Sequence, residues 1–576
     1  MAAPRPMSSN LPPRKTTASV RRWRQRAIAS ACALALAVPA GWAPAQNALP
    51  ALGDTDSADF TVSNERKLGD DIMRQVRTDP DYVDDPLLLE YLQSVWQPLV
   101  QASRSLGNIT PDLDQRFAWE PFLVRDPSVN AFAWPGGYVG VHLGLIAITT
   151  TSDELASVLA HEMSHVSQRH IARSITGDSK RSLVGLAALL LGVLAASRSH
   201  SPDAANAVIA GTQAATVQGQ LNFSRDVERE ADRVGFQVMT AAGFAPGGMA
   251  AMFERMDRAT RLNDYGGYPY LRSHPLTVER IGEARARASA REAQITSCTV
   301  GSDGICRMPE STVGNGTRGK GIVASDTAGS AVSQAPVSVL EHTVAQARAS
   351  VLMDPRTDAL RRWQGRDADR DGSAADKVRA ASESAIASSM LRDWARADAA
   401  FATARAVAHA TPGSARAERA VALMQAQSLV DRGAATQAAD AMKAYANDGS
   451  RPTLLLESEI ALRTTPATAP DNAALKTNAS TLQTWVAVHP LDSLAWTALA
   501  QTWSKLGQPL RSIRAEAEAR YGLGDLQGAV ERLRAGQRLA RGGGPVDFID
   551  ASVLDSRLRV IEAQRRQIVA DQRAGR

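Results

Sequence analysis

A short sequence at residues 161–165, His-Glu-Met-Ser-His, constrains the chain more than any other feature. Residues four apart lie on the same face of an α-helix, so His161 and His165 can bind one metal ion together. Two histidines at this spacing, with a glutamate after the first, are typical of zinc hydrolases. A helix with two surface histidines is the alternative interpretation.

The motif is predicted to lie in one amphipathic helix that begins near Thr151 and continues past Arg169. Thr151 and Glu154 have the spacing of a capping box at its start. Apolar residues recur on one face of the predicted helix, namely Leu155, Val158, Leu159 and Val166. The site would therefore be walled off from bulk water.

Glu162 follows the first histidine but points in a different direction around the helix. Its carboxylate can therefore reach a metal-bound water without occupying the metal. Zinc lowers the pKa of a bound water to about 7, and a carboxylate that takes up the proton lets that water attack a carbonyl carbon. The motif therefore indicates peptide hydrolysis.

A second acidic segment, residues 222–232, can complete the metal site. A catalytic zinc held by two histidines needs a third protein ligand, commonly a carboxylate from another helix. Glu228 is the candidate, and Asp232, one turn later, can accept the second ring N–H of a ligand histidine. Spacing alone does not distinguish Glu228 from Glu230, and an acidic solvated face is the alternative.

A strand is predicted at residues 117–124, and a hairpin follows at residues 130–142, where a Pro-Gly-Gly turn separates two extended runs. An edge strand beside a cleft can bind a peptide backbone by strand addition, whereas an ordinary hairpin would only cover the core. The expected substrate-binding residues are Asn130, Phe132, Gly136 and Gly137. His142 is predicted to be a sheet residue and not a ligand.

The N-terminus has the features of an export signal at residues 1–45. Arginines precede a short apolar run, Ala27 to Val38, and Ala43-Pro44-Ala45 is typical of a cleavage site. Cys32 lies too early in the apolar run to favour lipidation. In an oxidising compartment Cys298 and Cys306 are predicted to form a disulfide; two free thiols are the alternative.

A chain of 576 residues is expected to hold more than one domain. We predict a metallopeptidase domain at residues 46–295, a flexible linker or insertion at 296–335 and a helical domain at 336–576. Its net charge of +5 is modest and includes the basic N-terminus, so nothing indicates nucleic-acid binding. The apolar run Leu183–Leu194 is too short to cross a bilayer as a helix. It is predicted to be a core helix; a hydrophobic lid or a membrane-facing element is the alternative.

The C-terminal half repeats a pattern of small residues around a glycine. The pattern occurs at Ala426, Gly433, Ala438 and Met442, and again with the same steps at Ala517, Gly524, Ala529 and Leu533. Small residues at helix crossings with a glycine turn are typical of tetratricopeptide repeats, whereas an irregular helical bundle is the alternative. The predicted fold is therefore mainly α: a metallopeptidase domain with a small β-sheet or hairpin, then an α-helical solenoid.

Three motifs together resemble a known family. These are HExxH, the later Ser-Arg-x-x-Glu-x-x-Ala-Asp ending at Asp232, and the earlier Asn-Ala-Phe-x-x-Pro-Gly-Gly starting at Asn130. The combination resembles the CAAX prenyl protease-type family of gluzincin metallopeptidases, in particular its periplasmic beta-barrel assembly-enhancing branch with C-terminal tetratricopeptide repeats.

The resemblance implies roles for individual residues. His161, His165 and Glu228 would bind one Zn²⁺ per chain, Glu162 would be the catalytic base, and Asp232 would support a ligand. Residues 271–276 resemble the His-Pro loop of the periplasmic branch, whose histidine can occupy the fourth zinc position. His274 would then be a fourth ligand and a switch that keeps the enzyme latent. No residue stands out as the oxyanion donor, although Arg225 or His274 could serve, and His170 is predicted to be structural.

The resemblance also implies a place and partners. We expect an exported, periplasmic zinc endopeptidase in quality control and assembly of outer-membrane proteins. Misfolded or stalled outer-membrane proteins would be its clients, and the repeats would bind the assembly machinery, with peripheral membrane contact allowed. Two alternatives are a chaperone or scaffold with a latent metal site, and an integral-membrane protease of the prenyl-protein type.

Overall fold

The computed structural model describes residues 60–174, 225–262, 269–296, 299–300, 306–307, 336–366, 372–446, 448–542 and 547–574. The described residues belong to one compact unit. Three of the predictions lie outside the described residues: the export signal, the apolar run Leu183–Leu194, and Cys298 with its disulfide. Among the described helices, none combines the length and the apolar character needed to cross a bilayer.

The prediction of a mainly α fold with a small sheet is confirmed. The described elements of the first half are α1 Val62–Val76, β1 Tyr82–Val83, α2 Pro86–Ser105, α3 Pro111–Arg116, β2 Glu120–Val124, β3 Ala131–Trp134, β4 Tyr138–His142, α4 Leu143–Ile148, α5 Ser152–Ser167, α6 His170–Ser174, α7 Arg225–Ala241, α8 Gly247–Leu262, α9 Tyr270–Ser273, α10 Val278–Thr296, β5 Thr299–Val300 and β6 Cys306–Arg307. Strands β5 and β6 pair antiparallel within the segment that was predicted to be a flexible linker.

One four-stranded sheet has the order β1-β2-β4-β3, so β3 is an edge strand. Strands β2 and β4 are parallel, and β3 and β4 form the predicted antiparallel hairpin. Because strand side chains alternate between faces, Ala131, Val139 and Val141 pack with α5, while Trp134 and Tyr138 pack with α1 on the other face. The sheet thus provides the surface on which α5 lies.

Helix α5 carries the HExxH motif and is shorter than predicted. It ends at Ser167 because Arg169 adopts a left-handed backbone conformation with φ of 52°. Half of the predicted capping box is present, since Thr151 Oγ1 accepts the N–H of Glu154 at 3.2 Å. The other half is wrong: the Glu154 carboxylate accepts the N–H of Thr150 at 2.7 Å and is held by Arg255, 2.9 Å away, because that cation competes for it.

Helix α7 packs directly on α5, and Gly235 makes the approach possible. A Cβ at Gly235 would lie 3.0 Å from the backbone nitrogen of His161, which is closer than ordinary packing. Helix α7 is amphipathic, and its buried face includes Glu228, Ala231, Asp232 and Gly235. The close crossing therefore brings two acidic side chains of α7 beside the histidines of α5.

All regular secondary structure described between residues 336 and 574 is helical. The helices are α11 Val339–Leu352, α12 Thr357–Gln364, α13 Ala374–Met390, α14 Trp394–Ala410, α15 Ala415–Asp431, α16 Ala435–Met442, α17 Arg451–Thr464, α18 Ala473–Val488, α19 Ser493–Lys505, α20 Pro509–Gly522, α21 Leu526–Arg541 and α22 Phe548–Ala574. Gly433 and Gly524 turn the chain between consecutive helices with φ of 86° and 83°. Left-handed backbone of this kind favours glycine, which explains the glycine of each predicted repeat.

Helix α11 joins the two halves. Ala345 and Ala349 pack into the core of the first half, while Val344 and Val351 pack into the core of the following helices. His342 is fully buried; its Nδ1 lies 2.5 Å from the Tyr91 hydroxyl and its Nε2 donates to the carbonyl oxygen of Thr149 at 3.0 Å. The C-terminal helices are thus anchored two residues before Thr151, the N-cap of α5.

Replacing His342 by leucine is expected to destabilise the protein by about 1–3 kcal/mol, because the buried Tyr91 hydroxyl loses its partner. Thermal denaturation followed by circular dichroism measures the effect. His409→Leu is the matched control: the His409 side chain is 80% exposed, so the change should stay within about 0.5 kcal/mol. Equal destabilisation by the two substitutions would contradict the role given to His342.

Candidate metal centre

Four buried side chains from three separate elements converge on one point. They are His161 and His165 of α5, Glu228 of α7, and His274, which caps the short helix α9. Each offers one ligand atom, and these four atoms lie within 4.8 Å of one another. Among the described residues this is the one cluster of its kind. The structure therefore brings together all four residues that the sequence suggested as metal ligands.

The ligand atoms of the cluster lie close enough together for a single cation to be bound by all four. His165 Nε2 lies 3.0 Å from His161 Nε2, and His274 Nδ1 lies 3.3 Å from His161 Nε2. Glu228 faces all three rings: one oxygen is 3.5 Å from His161 Nε2, and the other is 3.5 Å from His165 Nε2 and 2.9 Å from His274 Nδ1. Helical spacing accounts for the first pair, as predicted.

Asp232 and Arg280 support this cluster from outside. Asp232 Oδ1 lies 2.9 Å from His161 Nδ1, on the side of the ring away from the other histidines. Arg280 of α10 donates to both oxygens of Asp232, at 2.7 and 2.8 Å, and its Nη1 also lies 2.9 Å from Glu228 Oε2. One guanidinium thus holds the acid of the cluster and the acid that orients His161. Sequence reasoning missed Arg280, because no spacing rule relates α10 to α7.

Burial and neighbouring charges shift the pKa values of these groups strongly. Burial alone would lower the pKa of His161, but hydrogen bonds to Asp232 and Glu228 outweigh it and raise that pKa to about 10. Burial would raise the pKa of Glu228, yet His274 and His161 hold it far below its ordinary value. Burial, together with His161 and His274, lowers the pKa of His165.

The donor set fits a divalent cation such as zinc. Imidazole nitrogens and a carboxylate are the ligands that zinc takes in hydrolases, and they bind it in deprotonated form. The Glu162 Oε1 atom is buried and has no hydrogen-bond partner among the described residues. It lies 3.6 Å from His274 Nε2, beside the cluster but not within it, and burial raises the pKa of Glu162. This oxygen is therefore available as a proton acceptor beside the four ligand atoms.

Comparison with known proteins agrees with this geometry. The family model for "Peptidase family M48" matches residues 90–288, which contain all four cluster residues, Glu162 and Asp232. Residues 90–288 form a peptidase family M48 domain.

Several curated relatives share the M48 domain. The beta-barrel assembly-enhancing protease of Escherichia coli K12 is 34% identical over 254 residues, 44% of this chain and 49% of the relative. A Vibrio cholerae protein that carries the same name provisionally is 38% identical over 263 residues, 44% of this chain and 51% of the relative. The mitochondrial metalloendopeptidase OMA1 of Saccharomyces cerevisiae is 30% identical over 215 residues, 36% of this chain and 58% of the relative. The match thus spans about half the length of the bacterial relatives.

The residues suggested for substrate binding lie at and around β3. Asn130 is buried, and its carbonyl oxygen accepts the N–H of His142 at 3.1 Å. The Phe132 ring packs on the α1 face of the sheet, against Gly140 of β4, and not on the α5 face. Gly136 and Gly137 form the turn, and their carbonyl oxygens accept the N–H groups of Ala118 and Glu120. These glycines support the sheet of the M48 domain.

Three further residues from the sequence analysis are placed clearly. His142 is buried at the end of β4, where its Nδ1 lies 3.0 Å from Ser128 Oγ, as expected of a sheet residue. Arg225, one suggested oxyanion donor, is exposed at the start of α7, whereas His274, the other, belongs to the cluster. His170 is not remote from the site: its Nδ1 lies 3.0 Å from His165 Nδ1.

Replacing Arg280 by leucine is expected to lower the free energy of unfolding of the metal-free protein by about 3–5 kcal/mol, because two buried carboxylates lose their counter-charge. Urea denaturation measures this change. Arg285→Leu, on the same helix α10, is the control: Arg285 is 61% exposed and pairs with Glu254 at the surface, so its loss should cost no more than about 1 kcal/mol. A similar cost for the two arginines would refute the supporting role of Arg280.

Proposed function

We propose that this protein is a zinc-dependent endopeptidase. The single observation that carries the proposal is the convergence of His161, His165 and Glu228 beside the buried Glu162, whose Oε1 atom has no hydrogen-bond partner among the described residues. The M48 domain and the names of its relatives, which are proteases and a metalloendopeptidase, support the same reaction class. When bound, zinc supplies Lewis-acid chemistry for amide hydrolysis, by polarising a carbonyl group and lowering the pKa of a water.

The protein's own residues have separate tasks in this reaction. His161, His165 and Glu228 hold the metal, and Asp232 keeps the His161 ring oriented by accepting its Nδ1–H. Glu162 takes a proton from the attacking water and returns it to the leaving amine. Its burial suits this role, since a raised pKa brings a carboxylate closer to the pH at which it must both accept and release a proton.

His274 would keep the resting enzyme closed. Catalytic zinc sites need an open coordination position, whereas four protein ligands make a closed site. His274 Nδ1 lies close to Glu228, and its ring stacks on Tyr270 with 4.7 Å between centroids. Substrate would have to displace His274 from this position. Once displaced, the imidazole could serve as a donor to the oxyanion.

The edge strand β3 is the proposed docking site for the substrate backbone. The His142 N–H donates to Asn130, so in the alternating antiparallel pattern the N–H groups of Ala131 and Ala133 point away from β4. Helix α5 packs beside β3, so a peptide added to this edge would run along the motif helix. Backbone pairing of this kind favours extended and unfolded chains.

The biological role is proposed from the relatives. Their name, beta-barrel assembly-enhancing protease, suggests work on outer-membrane proteins in a bacterial envelope. We propose that the chain is exported to the periplasm, that stalled outer-membrane proteins are its clients, and that the C-terminal helices act as tetratricopeptide-type repeats that bind the assembly machinery. The glycine turns and small buried residues at the helix pairs support that assignment.

A second candidate function is that of a chaperone or scaffold with a latent metal site. It is favoured by a groove of about 590 Å³ where α2 meets the C-terminal helices. Six leucines line it, Leu87, Leu423, Leu455, Leu456, Leu462 and Leu494, together with charged residues such as Arg348, Glu459 and Arg463. Such a surface could hold apolar client segments without cleaving them.

Metal content and proteolysis distinguish these functions. The wild type is expected to bind one zinc and to digest casein at neutral pH. Glu162→Gln should keep the zinc but lose activity by about 10²–10⁴-fold, since it removes the general base. His161→Ala and Glu228→Ala should lose both metal and activity. Asp226→Ala is the control, because its side chain is 91% exposed on the same helix as Glu228. Full complementation of a deletion strain by Glu162→Gln would favour the scaffold function instead.

Ala133→Pro tests the substrate strand. Proline removes the outward N–H of Ala133, and an edge strand tolerates it at such a position. We expect kcat/KM for a peptide to fall about fivefold to tenfold, since one net hydrogen bond contributes about 1 kcal/mol. Ala133→Ser, which keeps the N–H, should change it little. Unchanged peptide kinetics in a folded Ala133→Pro protein would exclude strand addition at this edge.

A further inference from the structure

A sharp turn separates the motif helix α5 from His170, the next histidine along the chain. Helix α5 ends at Ser167, and Arg169 adopts φ of 52°. The Arg169 side chain fixes this conformation by donating to the Glu65 carboxylate at 3.1 Å and to the carbonyl oxygen of Phe60 at 2.8 Å. His170 then begins the short helix α6. A left-handed backbone conformation is unusual for a residue other than glycine and costs energy. The contacts of Arg169 therefore have to hold this turn in place.

The turn directs His170 back towards His165. The two Nδ1 atoms lie 3.0 Å apart, and the ring centroids are 4.9 Å apart with the planes nearly perpendicular. On its other side, His170 Nε2 lies 3.2 Å from Glu230 Oε2. His170 is 2% exposed. The three residues therefore form a row that runs outward from the metal cluster: His165, His170, Glu230.

The positions of the protons along this row follow from one requirement. His165 turns its Nε2 towards the cluster, and a metal ligand must present that nitrogen without a proton. The proton of neutral His165 is then on Nδ1, which donates to His170 Nδ1. His170 in turn carries its own proton on Nε2, where it donates to the Glu230 carboxylate. Each hydrogen bond fixes the tautomer of the next ring.

We infer that His170 and Glu230 are positioning residues that hold His165 in its metal-binding tautomer and orientation. The Asp232 carboxylate positions the His161 ring in the same way, through its contact with Nδ1. Spacing alone could not distinguish Glu230 from Glu228 as the metal ligand. Glu230 thus acts through His170, from a position two residues after Glu228 and on a different side of α7. The inference rests on the proposed zinc site and adds to it a second line of support, independent of Arg280.

The test measures zinc affinity of the full-length protein by competition with a chromophoric chelator, so activity is not needed as a readout. His170→Leu keeps apolar volume but removes the acceptor, and should weaken zinc binding by about 10–100-fold. His170→Asn places an amide oxygen near the position of Nδ1 and should retain affinity within about threefold. Glu230→Ala removes the last acceptor of the row. Its loss of zinc affinity should lie between the losses of His170→Asn and His170→Leu.

Two comparisons separate positioning from simple packing. Asp226→Ala, at an exposed position on the same helix as Glu230, should leave zinc affinity unchanged. The melting temperature of the metal-free protein reports folding for every variant. A packing role for His170 would lower that temperature in His170→Asn and His170→Leu alike and leave the zinc affinity of the folded fraction at the wild-type value.

The outcomes distinguish this inference from the proposed function. A wild type that binds no zinc would overturn the metal site itself. If the wild type binds zinc and both His170→Leu and Glu230→Ala bind it with the wild-type affinity, the positioning role is overturned and the metal site stands. Equal losses in His170→Asn and His170→Leu would also overturn it. If His170→Leu does not fold, Glu230→Ala decides the question, and unchanged affinity there counts against the inference.

Discussion

The buried charge around the four-ligand cluster is the constraint on which the rest of this M48 domain depends. Three carboxylates, those of Glu162, Glu228 and Asp232, are almost fully removed from water, and Arg280 pairs with two of them, Glu228 and Asp232. Unpaired buried charge is costly, so one guanidinium leaves a deficit of positive charge. Hydrogen bonds to Asp232 and Glu228 raise the pKa of His161, and a divalent cation would remove the deficit. The same deficit of positive charge that makes the site costly to fold favours the binding of a cation.

Much of this centre could be predicted because it follows from local rules. The i, i+4 spacing of His161 and His165 places two rings on one helix face whatever the surrounding fold is. Mainly α content, the hairpin around the Pro-Gly-Gly turn and the glycine turns of the C-terminal helices also come from short-range preferences. The resemblance to a known family supplied what spacing could not: Glu228 in place of Glu230, and His274 as a partner of the motif.

The remaining features depend on tertiary contacts that no local pattern shows. The predicted motif helix extends past Arg169, whereas contacts to Glu65 and Phe60 end it at Ser167 and turn His170 towards His165. Arg280 gives no sequence signal, since its partners lie on another helix. A histidine followed by proline and leucine occurs twice, yet His274 is buried in the cluster while His489 is exposed. Burial, and not the tripeptide, separates the two.

Helix α11 changes where the catalytic unit ends. The family match stops at residue 288, but Ala345 and Ala349 complete the core on which α5 rests. His342 holds the Thr149 carbonyl just before the N-cap of α5, and Arg348 makes two hydrogen bonds to Asp85, the N-cap of α2. These contacts lie on the same helix that packs into the C-terminal core. Helix α11 therefore connects the C-terminal helices directly to the residues that precede the motif helix.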